Sequence, residues 1–304
     1  MLRPLFLNLD SSLAGQTDLR AAASAGRQVA ALALGPALRL WSRPAALEAL
    51  RSLLAREAPA AGPELVFAGS GDFHHVAPLL IERAMAAAGS TQVTVLHFDN
   101  HPDWVRFSNG AHCGSWVGQA ARLPGVARVI TVGVCSGDIH GARARNADLG
   151  PLTDGRAEIY PYSAAGEGGL FRIAGTEWLT VDAGDEAAFA ALLAGRIATR
   201  DLYVTIDKDV LRAEDAVTNW DQGRMSLNFL ERLTGGAMDG HRLIGADVVG
   251  DWSAPVYGGG LMAGLLKGAE AWLDQPRRAP DSGLSQAVNQ RTNLRLLSLF
   301  GAAA

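Results

Sequence analysis

Short runs rich in Val, Ile and Leu recur along the chain, and Ala- and Leu-rich stretches with helical spacing lie between most of them. That alternation folds as βα units of a parallel sheet, whose strands are covered on both faces and so read as unbroken apolar runs. The expected strands are Leu5–Leu9, Leu65–Ala68, Val93–Phe98, Val129–Val134, Glu158–Tyr162, Leu202–Ile206 and Leu243–Val249. Helices are expected at Pro44–Arg56, Pro78–Ala88, Glu186–Gly195, Ser226–Thr234 and Gly260–Leu273, the first with Leu47, Leu50, Leu53 and Leu54 as one apolar stripe. Gly137–Gly184, weak in periodicity, reads as a long excursion from the same sheet. A three-layer αβα architecture with a mostly parallel central sheet, one domain over residues 1–304, follows from this α/β pattern.

Composition narrows the class of partner. With 48% hydrophobic and 19% charged residues the chain is too apolar for disorder, yet it holds no apolar run of membrane-span length. A net charge of −4 gives no general attraction to polyphosphate, so neither nucleic acid nor membrane is expected as a partner. Cys113 and Cys135, the two cysteines, make no disulfide framework and no C-x-x-C zinc pair. The opening MLRPLFLNLD reaches Asp10 before a signal-like apolar core forms, so a reducing, cytoplasmic setting is the expectation.

Five of the seven histidines, His74, His75, His97, His101 and His112, crowd into residues 74–112. Imidazole and carboxylate are the ordinary donors for a divalent metal, and acids accompany these histidines. After the strand VTVLHF come Asp99, His101 and Asp103 at i, i+2 and i+4, a spacing that turns all three to one side of an extended chain. Asp207 and Asp209 end a second apolar strand at i, i+2, where side-by-side carboxylates repel unless a cation or proton lies between them. A third motif, GSGDFHH, gives a glycine-rich strand-to-helix turn that aims His74 or His75 at the same sheet edge.

Together GSGDFHH, DNHPD and TIDKD resemble, in the same order, the G-G-D-H-S, D-A-H-x-D and S-x-D-x-D motifs of the arginase, agmatinase and formiminoglutamase group of ureohydrolases. The flanking VITVGVCSGD and IGADVVGDW are similar to strands of that family, and the likeness runs over about residues 65 to 255. What the resemblance implies is an arginase-like fold and a binuclear manganese centre, two Mn2+ per chain, with His74, Asp99, His101, Asp103, Asp207 and Asp209 as ligands and His75 as the alternative to His74. Four aspartates would balance two divalent cations. The resemblance also implies hydrolysis of a carbon–nitrogen bond in a guanidine-like or amide-like small molecule, with His112 as a proton shuttle. A homo-oligomer is in keeping with it.

The chain departs from that family in one strand. Where the ureohydrolases carry a glutamate for the substrate guanidinium, this sequence has Gly250, followed by Asp251. Asp251 is expected to supply the missing carboxylate, and the reshaped loop 212–226 to bring Asn219 and Trp220 to the pocket floor. Lys208, between the two aspartates, should face the other way and needs a buried partner. Two other readings stand: a single-zinc amide hydrolase resembling histone deacetylases, and a relative that binds metal without turnover.

Overall fold

In the computed structural model, which describes residues 1–140, 143–164, 168–277 and 279–301, the strand–helix alternation becomes one eight-stranded sheet. Its strands are β1 (Arg3–Asn8), β2 (Arg27–Ala30), β3 (Glu64–Phe67), β4 (Val93–Phe98), β5 (Val126–Val132), β6 (Ala157–Tyr160), β7 (Asp201–Asp207) and β8 (Arg242–Val249). They lie in the order β2-β1-β3-β8-β7-β4-β5-β6, and every pairing in this sheet is parallel. The longer helices are α1 (Thr17–Ala22), α2 (Pro44–Glu57), α3 (Ala77–Ala88), α4 (Trp116–Ala120), α5 (Glu186–Arg196), α6 (Leu227–Met238), α7 (Leu261–Asp274) and α8 (Ser282–Leu299).

Alternation along the strands divides the core into two layers. Leu65, Phe67, Leu96, Phe98, Val204 and Ile206 face Phe189 of α5, Leu230 and Leu233 of α6 and Leu296 of α8. Val66, Val93, Val95, Tyr203 and Ile244 face Leu50 and Leu54 of α2, Leu80 of α3 and Trp116 of α4. The three-layer αβα expectation is met, with a sheet that is parallel throughout rather than mostly so.

Several elements escaped the sequence pattern, two of them, β2 and α8, for clear physical reasons. β2 is a four-residue edge strand with a single buried side chain, Val29, too short to show a period. The buried face of α8 includes Ser285, Asn289, Thr292 and Asn293, so it carries no hydrophobic stripe despite its 18 residues. The excursion after Gly137 holds β6 and an antiparallel hairpin, Leu170–Ile173 with Thr176–Leu179.

The chain passes from β3 to β4 across two empty places in the sheet that β7 and β8 later fill. The carboxyl ends of β3, β8, β7 and β4 are therefore neighbours, which is where ligands bind in parallel α/β sheets.

Candidate metal centre

All three sequence motifs converge on that edge. β3 runs into Ser70, whose hydroxyl caps the 3-10 turn Gly71–Val76 by accepting the Asp72 amide, and His74 sits buried in that turn. His74 Nδ1 lies 3.1 Å from Asp99 Oδ2, 3.4 Å from Asp103 Oδ2 and 3.6 Å from Asp207 Oδ2. None of these contacts has hydrogen-bond alignment, and Nδ1 is a buried nitrogen without a hydrogen-bond partner.

The other side of the ring explains why. Thr205 Oγ1 donates to Asp247 Oδ1 at 2.8 Å, and Tyr203 donates to Asp247 Oδ2 at 2.8 Å. The Thr205 oxygen is left to accept from His74 Nε2 at 2.8 Å, which places a ring proton on Nε2 and leaves Nδ1 to the carboxylates. Against the opposing effect of burial, Asp103, Asp99 and Asp207 raise the His74 pKa well above its ordinary value, so this is a place that favours positive charge.

Hydrogen bonds from the protein fix the orientation of each aspartate. Asp99 Oδ1 accepts the His101 amide at 2.6 Å, Asp207 Oδ1 the Asp209 amide at 3.0 Å, and Asp209 Oδ1 the Asn100 amide at 3.0 Å. Asp103 Oδ2 accepts Trp116 Nε1 at 2.6 Å. Two donor groups result, His74–His97–Asp99–Asp103 and Asp99–His101–Asp209, each with donor atoms within 4.8 Å of one another. Asp99 belongs to both. The convergence is not the simple extended comb expected from i, i+2, i+4 spacing: Asp103 adopts φ +46°, a left-handed conformation more tolerable for Asp than for most residues.

The charges are in conflict without a counter-ion. Burial, then the nearby Asp99, pushes the Asp207 carboxyl up to about 7, and burial followed by Asp207 drives Asp209 well above its usual range. Asp103 is raised by burial and by Asp99. Asp99 goes the other way: burial opposes its charge, but contacts from His101, His74 and His97 outweigh it. An oxygen-rich donor set with two imidazoles and excess buried negative charge fits divalent cations.

His75, the alternative ligand, does not reach this cluster. Both its ring nitrogens are buried without partners, and burial, then His112 and Lys267, holds its pKa down to about 3. His97 is buried beside the cluster, with Nε2 2.9 Å from Asp99 Oδ2 and Nδ1 3.1 Å from Thr131 Oγ1.

The cluster forms the floor of a cavity of 260 Å³ whose walls include Pro102, Val105, His112, Trp220, Asp138, Asp221 and Asp274. No Lys or Arg is among its lining residues in the described part of the chain. His112 accepts the Gly114 amide at Nδ1, 2.8 Å away, so its proton is on Nε2, where it donates to Glu270 of α7. The second oxygen of Glu270 accepts Trp41 Nε1 at 3.1 Å. Trp220 is held by its own Nε1, which donates to Asp72 Oδ1 at 2.9 Å, while Asp72 Oδ2 takes Arg39 Nε at 2.7 Å.

Two expected substrate contacts are displaced. Asp251 does not line this cavity; it is buried against Lys208 Nζ at 2.7 Å and Gln16 Nε2 at 2.9 Å, which also supplies the partner that Lys208 lacked. Asn219 is likewise turned away, accepting from Ser70 Oγ at 3.0 Å and donating to the Ser253 carbonyl at 2.9 Å. At Gly250, φ is +93° and a Cβ would lie 2.5 Å from Asp207 Oδ1, so no glutamate fits there. Sequence reasoning missed Trp116, Thr205, Asp247 and Glu270; the polar residues Thr205 and Asp247 inside apolar strands were the visible signal for the middle two.

The fold is one shared with solved arginase and agmatinase structures. Among solved structures, a hypothetical agmatinase from Burkholderia thailandensis superposes with TM-score 0.57 at 17% identity, covering 98% of this chain and 84% of its own. Arginase from Bacillus subtilis gives 0.56 at 12%, covering 97% and 98%. Arginase from Entamoeba histolytica, in complex with L-ornithine, gives 0.54 at 10%, covering 82% and 91%. At these identities the likeness is one of fold, and the chain has the arginase–agmatinase fold. No family model matches it. An uncharacterized protein from Thermotoga maritima is 23% identical over 189 residues, 62% of this chain, and the chain spans 58% of that relative's length.

Proposed function

We propose that the chain, acting as one domain over residues 1–304, is a binuclear manganese hydrolase of the ureohydrolase type that cleaves a carbon–nitrogen bond in a cationic small molecule. The observation that carries this reading is the bare Nδ1 of His74 facing Asp99, Asp103 and Asp207 while Nε2 is tied to Thr205. His74 and Asp103 would hold one ion and His101 and Asp209 the other, with Asp99 common to both donor groups and Asp207 beside His74. Bound there, two divalent ions would supply an activated water and polarise the planar carbon of the substrate.

The residues around the floor do the rest. His112 and Glu270 form a pair at the cavity wall able to hold and release a proton as the leaving amine departs. The acidic character of the described walls, Asp221 among them, favours a positively charged substrate. A guanidine or amidine cation suits these walls better than a neutral amide, and the role expected of Asp251 passes to the cavity's own acids.

Metal analysis of the purified protein, followed by a panel of agmatine, guanidinobutyrate, arginine, formiminoglutamate and acylated amines, tests the reading. Two manganese ions per chain and turnover greatest for agmatine-like cations are expected. One zinc per chain with release of amine from acylated amines would support the deacetylase reading, and two ions with no turnover the non-catalytic one.

A further inference from the structure

Helix α7 is turned inside out for an element at the surface. Leu261 is 86% exposed, Leu265 62% and Leu273 70%, and Met262, Leu266 and Trp272 are also more than half exposed. With Ala269, also exposed, these positions fall within about 140° of the helix circumference at roughly 100° per residue. The opposite side carries Ala263, Lys267 and Ala271, which are buried, and Glu270 and Asp274, which reach the cavity region.

The helix therefore rests on the protein through two alanines and polar contacts. Lys267 Nζ donates to the carbonyls of Pro36 at 3.2 Å and Ala37 at 2.8 Å, and Glu270 accepts from His112 and Trp41. Its large apolar side chains all point to solvent, the reverse of an amphipathic surface helix.

We propose that this face of α7 is a self-association surface, packing against α7 of a second copy of the chain. At roughly 100 Å² of exposed apolar surface each, the six large side chains offer on the order of 600 Å² per copy. Backbone and rim atoms bring this near the roughly 800 Å² that each partner buries in a stable pair. The stripe's own residues carry no charge, and the one cation on it, Arg277 over the Trp272 ring at 4.5 Å, sits at one end, so an antiparallel pairing keeps the two copies' arginines apart. An antiparallel two-fold crossing sets the Leu261–Met262 end of one helix against the Trp272–Leu273 end of the other, as an isologous contact requires. A lipid surface fits less well: the one lysine of α7 is buried beneath it, and the chain carries net charge −4. Because α7 also delivers Glu270 and Asp274, the contact would clamp part of each copy's own cavity wall.

Sedimentation velocity of the full chain over a range of concentrations tests this, alongside L265E and L273E and with circular dichroism as the folding control. The expected result is a wild-type dimer, twice 31.9 kDa, and folded monomers for both variants. Oxidised A269C should cross-link into a covalent dimer near the two-fold axis, a readout that stands even if L265E or L273E fails to fold. A wild type that is monomeric throughout, an assembly unchanged by the folded variants, absent A269C cross-linking, or a monomer that instead co-sediments with vesicles would overturn the proposal.

Discussion

His74 owes its readiness as a donor to a residue that never touches the site. Thr205 hands its own hydrogen to Asp247 and keeps an acceptor for His74 Nε2, so the tautomer is set two residues away from the cavity. Thr205→Val removes that acceptor and leaves Asp247 Oδ1 and His74 Nε2 short of a buried partner, so divalent-metal affinity by calorimetry should fall about 10- to 100-fold and the metal-free protein should lose about 1–3 kcal/mol of stability, whereas Thr205→Ser, which keeps the hydroxyl, should retain the affinity. Glu270 plays the corresponding part for His112. Because the Gly114 amide holds Nδ1 as an acceptor, nitrogen-15 spectra should report the Nε2–H tautomer in wild type and E270A alike, with the Nε2–H signal shifted in E270A as its carboxylate partner is lost. Turnover of E270A should drop with KM nearly unchanged, and E270Q, which keeps an acceptor oxygen, should restore the Nε2–H hydrogen bond but not the full rate. Unaltered spectra in E270A would remove Glu270 from this role.

Among the elements, the tight packing of the β7 and β8 ends governs what the site can hold. Gly250 at φ +93° lets the end of β8 pass against Asp207 and Lys208, with a Cβ position 2.6 Å from the Lys208 nitrogen. Gly250→Ala should lower unfolding stability by about 2 kcal/mol or more, from the left-handed backbone and the overlap together, measured by urea titration with an unchanged slope. Helix α7 offers a pH test. Burial holds the Lys267 pKa down to about 8, against partial compensation from Glu270 and Asp72. Between that value and the ordinary one near 10.5 the unfolded chain keeps a proton that the folded chain has lost, so this group adds stability as pH rises. The unfolding free energy of wild type relative to K267M should therefore increase from neutral pH to pH ~10.

For the molecule as a whole, the sheet separates two polar centres that lie side by side in sequence. Asp207 and Asp209 end at the cavity, while Lys208 between them points to Asp251, itself held by Gln16 and Asn293. D251A strands a buried ammonium and should cost about 3 to 5 kcal/mol, whereas K208M with D251L should restore most of that in thermal melts. The βα order, all seven expected strands and the convergence of the three motifs were legible in the chain, because buried parallel strands and i, i+2 carboxylates leave periodic marks. β2 and α8 left none, being too short or too polar on the buried side. Turning Asp251 toward Lys208 rather than the cavity and bringing Glu270 to His112 across 158 residues of chain were decided only in three dimensions. Local spacing sets which way a side chain leaves its own strand or turn; which partner it meets depends on strand order and helix placement, and those depend on burial summed over the whole chain.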